Sequence, residues 1–193
     1  MKINIGKTEL IHFVGIGGIG MSGLALIMDS LGFKIQGSDK SDNKNLNLLR
    51  KRKIPIYLNH NKQNIKNCTV LVVSSAIKKS NPEYKQAKKL NLPIYKRGEL
   101  LGHIVSLMKN IVVTGSHGKT TTTSILSNIM NYAKLDPTII NGGVLNSIGS
   151  SAKLGKSDWS LVESDESDGS FLQIPFNYSI ITNIDNEHLD YYR

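Results

Sequence analysis

The sequence predicts an α/β fold in which parallel sheets are divided between two domains. Short apolar runs alternate with helix-forming segments at the spacing of βαβ units. Two of these runs end in glycine-rich loops, at residues 15–20 and 115–121, and each loop opens into a helical pattern. A chain of 193 residues has room for one large or two small domains, and two separate loops of this kind favour two.

The first predicted domain, residues 1–109, alternates strand and helix. In chain order its predicted elements are strand 10–14, helix 21–31, strand 34–38, helix 46–53, strand 54–57, strand 69–75, helix 82–90, strand 93–96 and helix 99–108. The run at 69–75 is apolar through its centre, which predicts a strand buried on both faces. Ser74 and Ser75 then lie at its carboxyl end, where open α/β sheets hold their ligands.

The glycine loop of this domain fits the pattern G-x-G-x-x-G through Gly15, Gly17 and Gly20. It predicts a Rossmann-like domain in which a diphosphate lies at the N-terminus of the following helix. Asp39 ends the second strand at about the distance where an acid meets a ribose hydroxyl. NAD and a UDP-linked substrate both meet this description. Glycines that serve only tight strand–helix packing are the alternative interpretation.

The second predicted domain covers residues 110–193. Its predicted elements are strand 111–114, helix 119–133, strand 138–140, loops at 141–143 and 147–151, and strands 159–163 and 178–183. We find no internal repeat and no low-complexity segment in either domain.

The second glycine loop, G-S-H-G-K-T-T at 115–121, predicts a site for the phosphates of a nucleoside triphosphate. Lys119 would reach the β- and γ-phosphates, and the Thr120 hydroxyl would bind Mg²⁺, as in a P-loop ATPase. The loop departs from G-x-x-x-x-G-K-[ST], because Val113 stands where the first glycine belongs. An incidental Lys-Thr after a glycine-rich turn is the alternative. Two nucleotide-type sites in one chain favour a transferase or ligase over a dehydrogenase.

Carboxylates follow the later strands of the second domain. Glu163 ends an apolar strand in the manner of the acid that holds Mg²⁺ near a phosphate loop, although a solvated acidic loop is the alternative. His188 also follows a strand, and its residue type fits either a structural role or a metal ligand. His117 lies within the phosphate loop, so we expect it to contact ligand or to order the loop.

Charge is distributed unevenly along the chain, whose net charge is 24 − 15 = +9. Residues 40–97 carry 15 Lys/Arg and two acids, a balance of +13, whereas residues 158–193 carry eight acids and one Arg. The basic half has no aromatic platform or recognition-helix pattern, so we expect no nucleic-acid partner. Solvated helix faces with some attraction for an anionic substrate explain it better.

Cysteine content and the N-terminal segment indicate the cellular compartment in which the protein is expected. The single cysteine, Cys68, excludes an intramolecular disulfide, and it is predicted to be a small buried residue. The sequence shows no signal-peptide pattern and no apolar run long enough to span a membrane. We therefore expect a cytoplasmic protein without a membrane partner.

Taken together, these motifs resemble those of the Mur ligases of peptidoglycan synthesis, most closely the members that join L-alanine to UDP-N-acetylmuramic acid. They occur in the order of that family over nearly the whole chain: I-H-F-V-G-I-G-G-I-G-M-S-G at 11–23, G-S-D at 37–39, V-S-S-A-I at 73–77, N-P-E at 81–83, G-S-H-G-K-T-T-T-T at 115–123, N-G-G at 141–143, E-S-D-E-S-D at 163–168 and T-N-I-D-N-E-H at 182–188. At Ser116 the family usually has Thr, and the hydroxyl is kept.

The resemblance implies a two-step reaction. ATP would phosphorylate the lactyl carboxylate of UDP-N-acetylmuramic acid, and the amino group of L-alanine would displace phosphate from the acyl phosphate. No protein nucleophile is required, so positioning and charge neutralisation would supply the catalysis.

The resemblance also implies roles for residues of this chain. The UDP part would be held by Gly15, Gly17, Gly18, Gly20, Ser22, Asp39, Ser74 and Ser75. The ATP phosphates would be held by Gly115, Ser116, His117, Gly118, Lys119, Thr120 and Thr121. Thr120 and Glu163 would bind one Mg²⁺, and Glu163 and His188 a second; Lys119, Glu163 and His188 are the implied catalytic residues.

The family's central domain continues past the position of His188, and a third domain follows it. The resemblance therefore implies that the second domain is incomplete here and that the 193-residue chain alone does not form the amide bond. Two alternatives remain: a ligase that recycles a murein peptide, and a non-catalytic module that binds a UDP-sugar or NAD.

Overall fold

The computed structural model describes residues 5–145, 150–164 and 174–186 of the chain. The chain divides into two compact units, Met1–Leu100 and Leu101–Arg193, each with its own five-stranded sheet. The predicted α/β class is therefore confirmed.

The sheet of the first unit is wholly parallel. Its elements in chain order are β1 (Leu10–Val14), α1 (Ile19–Ser30), β2 (Lys34–Asp39), α2 (Lys44–Lys51), β3 (Ile56–Leu58), a 3-10 turn (Lys62–Ile65), β4 (Val70–Val73), α3 (Pro82–Lys89), β5 (Ile94–Lys96) and α4 (Arg97–Ser106), which continues past Leu100. The strand order is β3-β2-β1-β4-β5. Strand order reverses between β1 and β4, which is where ligands of such sheets bind.

The core of the first unit covers both faces of this sheet. β4 is buried along its whole length, as its uninterrupted apolar run predicts. Ile11 and Phe13 of β1 are also fully buried, and α1 contributes Leu24 and Met28. Each such side chain contributes about 1.5–3 kcal/mol to folding.

One buried carboxylate, that of Glu83 at the start of α3, joins several elements at this end of the sheet. Its oxygens accept hydrogen bonds from the Ser38 hydroxyl at 2.6 Å and the Asn64 amide at 2.7 Å. His60 Nδ1 lies 3.2 Å away and His12 Nε2 lies 3.5 Å away. A fully buried carboxylate needs such partners, because removing an ion from water into a protein interior costs on the order of several kcal/mol. Glu83 thus ties α3 to β1 and β2.

The sheet of the second unit is mixed. Its elements in chain order are β6 (Lys109–Thr114), α5 (Lys119–Tyr132), β7 (Thr138–Leu145), β8 (Ser150–Lys153), β9 (Trp159–Glu163) and β10 (Tyr178–Ile181). The strand order is β10-β6-β9-β7-β8, and among the described strands only the β7–β8 pair is antiparallel.

Two segments that the sequence predicted as loops differ in the structure. Residues 141–143 continue β7, and Ser150 and the residue after it belong to β8, whereas residues 147–149 lie outside the described residues. At the described positions the prediction of loops was wrong, because glycine and serine composition suggested turns, whereas β7 and β8 pair as antiparallel strands on either side of an irregularity between Ile140 and Leu145.

Two further expectations concern burial. Cys68 is buried, as predicted, and packs in an apolar cluster with Leu71 and Val73. Among the described residues, no helix is long and apolar enough to cross a membrane.

Candidate functional site

The glycine loop of the first unit is fixed to the carboxyl end of β2. The backbone N–H groups of Gly15 and Ile16 both donate to the carbonyl of Ser38, at 2.8 and 3.0 Å. Gly15 has φ +80°, a conformation that glycine adopts without strain. A side chain here would also press on Ser74, whose Cβ would lie 3.2 Å from the added carbon. The loop thus lies where β1 and β4 end.

Asp39 braces the loop from the end of β2. One of its carboxylate oxygens accepts a hydrogen bond from the Gly17 N–H at 2.8 Å. The other accepts from the Lys40 N–H at 2.7 Å. The Asn45 amide donates to the Gly17 carbonyl at 2.8 Å from the opposite side. Asp39 therefore orders the loop itself, in addition to any contact with a ribose.

The other predicted residues of this site lie around the loop in different settings. Gly18 precedes α1, and its N–H closes a turn onto the Gly15 carbonyl at 3.2 Å. Ser22 is buried and donates to the Ile19 carbonyl at 3.0 Å within α1, so its hydroxyl serves the helix. Ser74 is half-buried and Ser75 is exposed at the end of β4.

Sequence reasoning missed Arg97, which lies against the start of α1. A carbon added at Gly20 would lie 2.9 Å from Arg97 Nη1, so the guanidinium occupies the space over this glycine. Arg97 is distant in sequence, and only the pairing of β5 with β4 carries it to this end of the sheet. A guanidinium beside a helix N-terminus provides fixed positive charge for a phosphate.

The phosphate loop of the second unit joins β6 to α5. Gly118, with φ +77°, immediately precedes the helix, so the first-turn N–H groups of α5 point out of its N-terminus. Lys119 folds back over the loop, where its Nζ donates to the carbonyls of Gly115 and Ser116 at 2.5 and 3.0 Å. Thr121 is exposed on the same first turn. The residues predicted to hold triphosphate oxygens thus lie together at the start of α5, and their role stays a prediction.

Thr120 and Glu163 meet beside the loop. β9 lies next to β6, with Glu163 in register with Val113, and the Thr120 hydroxyl donates to Glu163 Oε1 at 2.9 Å. A hydroxyl and a carboxylate are oxygen ligands of the kind Mg²⁺ prefers, so these residues fit the ion. His188, the other predicted metal ligand, lies outside the described residues. Within the described part of the chain, no three His, Cys, Asp or Glu side chains converge on a metal position.

Sequence reasoning also missed two asparagines beside the phosphate loop. Asn183, just after β10, contacts the backbone of His117. Asn141 follows Ile140, which pairs with Val162 next to Glu163. The Asn141 side chain is buried, and among the described residues neither its Nδ2 nor its Oδ1 has a hydrogen-bond partner. Buried amides in proteins are normally hydrogen-bonded, so Asn141 is a candidate ligand position.

His117 itself takes part in the loop through its backbone and its ring. The ring Nε2 lies 3.6 Å from a carboxylate oxygen of Asp185, and both side chains are exposed. The Asp185 N–H donates to the Ser116 hydroxyl at 3.0 Å. These contacts order the loop, one of the two roles expected for His117.

Comparison with known proteins relates both units to one family. Residues 10–109 match the model described as "Mur ligase family, catalytic domain", and residues 113–193 match the model described as "Mur ligase middle domain". The chain is 67% identical over 192 residues to the UDP-N-acetylmuramate–L-alanine ligase of Pelagibacter ubique. The alignment covers all of this chain and 41% of that relative, so the chain spans about two fifths of the relative's length.

Two solved structures share the fold. The UDP-N-acetylmuramate–alanine ligase MurC of Thermotoga maritima superposes with a TM-score of 0.87 at 34% identity, over 95% of this chain and 43% of that one. The UDP-N-acetylmuramate:L-alanyl-γ-D-glutamyl-meso-diaminopimelate ligase of Neisseria meningitides gives 0.87 at 27% identity, over 96% of this chain and 63% of that one. The chain belongs to the Mur ligase family.

Proposed function

We propose that this chain is part of an ATP-dependent ligase that joins L-alanine to the lactyl carboxylate of UDP-N-acetylmuramic acid. Residues 1–109 bind the UDP-linked substrate, and residues 110–193 form the first part of the ATP-binding domain. A cytoplasmic location fits this proposal, because ATP is the energy source.

The observation that carries the proposal is the hydrogen bond between Thr120 and Glu163. A hydroxyl at the start of α5 and a carboxylate at the end of β9 lie 2.9 Å apart beside a phosphate loop. A module that only sequesters a UDP-sugar or NAD needs no such pair, whereas phosphoryl transfer from Mg·ATP does. The glycine loop of the first unit, at residues 15–20, provides for a separate substrate with its own phosphates.

The proposed chemistry balances in two steps. A lactyl carboxylate oxygen attacks the γ-phosphorus of ATP, the bond to the β-phosphate oxygen breaks, and ADP leaves. The amino group of L-alanine then attacks the acyl carbon, loses a proton, and inorganic phosphate leaves with the former carboxylate oxygen. Mg²⁺, when bound, neutralises charge on the transferring phosphoryl group.

Each residue of the loop has a defined task in this scheme. Lys119 exchanges the carbonyls of its own loop for phosphate oxygens, since an ammonium binds an anion more strongly than a neutral acceptor. Thr120 and Glu163 would hold the ion, and the family resemblance implies a second ion that Glu163 would share with His188. The Asn141 amide offers hydrogen bonds to the reacting groups.

The acceptor is inferred from the relatives. The relative named for L-alanine is 67% identical to this chain, whereas the solved ligase named for the murein tripeptide is 27% identical. L-Alanine is therefore the proposed acceptor, and the peptide-recycling ligase is the second candidate.

Calorimetric titration of the 193-residue chain tests the substrate assignment. We expect binding of UDP-N-acetylmuramic acid and of Mg·ATP, and no binding of NAD⁺. Binding of NAD⁺ in place of the UDP-sugar would reject the proposal. Circular dichroism of each sample establishes that the chain is folded during the titration.

A further inference from the structure

Asn183 makes an unusually complete contact with the phosphate loop. It lies two residues after the end of β10, and its side-chain amide binds both backbone groups of His117. The His117 N–H donates to Asn183 Oδ1 at 2.8 Å, and Asn183 Nδ2 donates to the His117 carbonyl at 3.0 Å. One side chain thus replaces the pair of hydrogen bonds that a neighbouring strand would give.

The backbone around Asn183 supports the same part of the loop. The Asn183 carbonyl accepts a hydrogen bond from the Ser116 N–H at 3.2 Å. The Thr182 hydroxyl lies 2.6 Å from the His117 carbonyl, to which it donates. Gly115, with φ +129°, has no room for a side chain, because a Cβ would collide with Thr182 Oγ1 and the Asn183 backbone. The segment at 182–183 therefore forms the back wall of the loop.

The contacts with residues 182–183 determine which backbone N–H groups of the loop are engaged within the protein. The N–H groups of Ser116 and His117 both donate to Asn183 and are therefore engaged within the protein. The N–H groups of Thr120 and Thr121 lie in the first turn of α5, ahead of the first intrahelical hydrogen bonds, and are the proposed donors for phosphate oxygens.

We propose that Asn183 is a positioning residue that holds the phosphate loop in its ligand-accepting conformation. The inference rests on the proposed function, because it requires that the loop binds Mg·ATP. Asn183 does not touch the nucleotide in this scheme; it acts through His117 and Ser116.

The chain offers a matched control at the other end of the same two strands. Asn177, before β10, exchanges two hydrogen bonds with Asn110 of β6. The Asn110 N–H donates to Asn177 Oδ1 and the Asn177 N–H donates to Asn110 Oδ1, each at 2.9 Å. Asn177 therefore resembles Asn183 in residue type and in its side-chain-to-backbone bonding, but it lies far along β10 from the phosphate loop.

The test compares Asn183→Ala and Asn177→Ala in the 193-residue chain. Calorimetry measures the Kd for Mg·ATP, for Mg·tripolyphosphate and for UDP-N-acetylmuramic acid, and thermal denaturation measures stability. We expect both variants to lower the Tm. Only Asn183→Ala should raise the Kd for Mg·ATP and Mg·tripolyphosphate, by about tenfold or more, as expected for loss of two hydrogen bonds. The Kd for the UDP-sugar should stay unchanged in both.

Three results would count against the proposal. Unchanged Mg·ATP affinity in Asn183→Ala would overturn it. Equal losses of Mg·ATP affinity in Asn183→Ala and Asn177→Ala would mean that Asn183 has only a structural role. A wild-type chain that binds no Mg·ATP would reject the proposed function itself, and this inference with it. If Asn183→Ala does not fold, Asn183→Ser gives the same comparison, because a hydroxyl is too short to span both His117 groups.

Discussion

The Thr120 hydroxyl donates a hydrogen bond to Glu163 at 2.9 Å, across a sequence separation of 43 residues. A hydroxyl and a carboxylate are thereby brought together beside the phosphate loop. The pairing depends on β9 lying beside β6, since each residue sits at the carboxyl-end edge of the sheet.

Replacing Glu163 with Gln should weaken the dependence of ATP binding on Mg²⁺. The amide keeps an oxygen that can accept from Thr120, but it removes the negative charge that attracts the ion. Titration of the protein with ATP, with and without Mg²⁺, measures the effect. We expect the increase in ATP affinity that Mg²⁺ causes to be smaller by about tenfold in the variant. Asp158→Asn, an exposed carboxylate of the same unit, should leave that gain unchanged. An undiminished response to Mg²⁺ in Glu163→Gln would exclude Glu163 as a ligand.

Lys119→Ala should raise the Kd for Mg·ATP by about tenfold to a hundredfold, as expected for loss of a charge-assisted contact to phosphate. Thermal denaturation of the variant measures any cost to folding, because the Lys119 ammonium also donates to the carbonyls of Gly115 and Ser116 in its own loop. Lys156→Ala removes an exposed charge elsewhere in the unit and serves as control. Equal affinity for Mg·ATP in Lys119→Ala and wild type would favour the alternative that the chain is a non-catalytic module that binds a UDP-sugar or NAD.

Arg97→Gln should weaken binding of UDP-N-acetylmuramic acid by about tenfold while leaving Mg·ATP binding intact. The guanidinium lies over Gly20 at the start of α1, where the diphosphate is expected. Lys89→Gln, an exposed charge at the end of α3, controls for the general positive potential of this unit. The contribution of Arg97 is disproved if both variants bind the UDP-sugar equally well.

Glu83 should make stability depend on pH in the acid range. Burial, the largest influence, would raise the pKa of its carboxyl, but hydrogen bonds from His12, Ser38 and Asn64 outweigh it and hold the pKa below 4.5. A carboxyl with a lower pKa in the folded state stabilises the protein above its unfolded-state pKa, near 4.5, and loses that contribution as pH falls through the folded-state pKa.

Denaturant unfolding of wild type and Glu83→Gln between neutral pH and about pH 3 checks this expectation. The variant should be less stable by about 1–3 kcal/mol at neutral pH, and the difference should shrink in acid. His12 and His60 face the side chain of residue 83, so the comparison is made with both histidines unchanged. Glu99→Gln, at an exposed site, should change stability by less than about 1 kcal/mol. If the difference in the free energy of unfolding grew as the pH fell, the pKa of Glu83 would be raised in the folded protein and not lowered.

Cys68 should resist alkylation in the folded protein. Burial, aided by the nearby charge of Glu83, raises the pKa of its thiol to about 11, so little thiolate forms near pH 8. Iodoacetamide should label Cys68 slowly in buffer and rapidly in urea, as followed by mass spectrometry. Rapid labelling without denaturant would mean that the cluster around Leu71 and Val73 opens readily.

The sequence predicted both glycine loops because each depends on short-range features. A β-branched run, glycines with positive φ and a following helix lie within about two dozen residues, the scale of a strand–turn–helix unit. The buried strand β4 was predicted for a similar reason, since an uninterrupted apolar run fits a parallel strand covered on both faces.

Prediction failed where pairing with distant strands decides the structure. Residues 141–143 look like a turn by composition, yet they lie in β7 beside β8 and β9. Nor did the sequence single out Glu83, which is fully buried among groups from four other segments of the first unit. Local composition carries no information on such partners.

By itself, the sequence determined the fold class, the two glycine loops and the residues that belong to each loop. The tertiary structure alone decided the order of the strands. That order brings Glu163 to Thr120, Arg97 to Gly20 and Asn183 to His117. The physical reason is that helix and turn preferences act over a few residues, whereas strand order follows from the packing of whole elements into a common core.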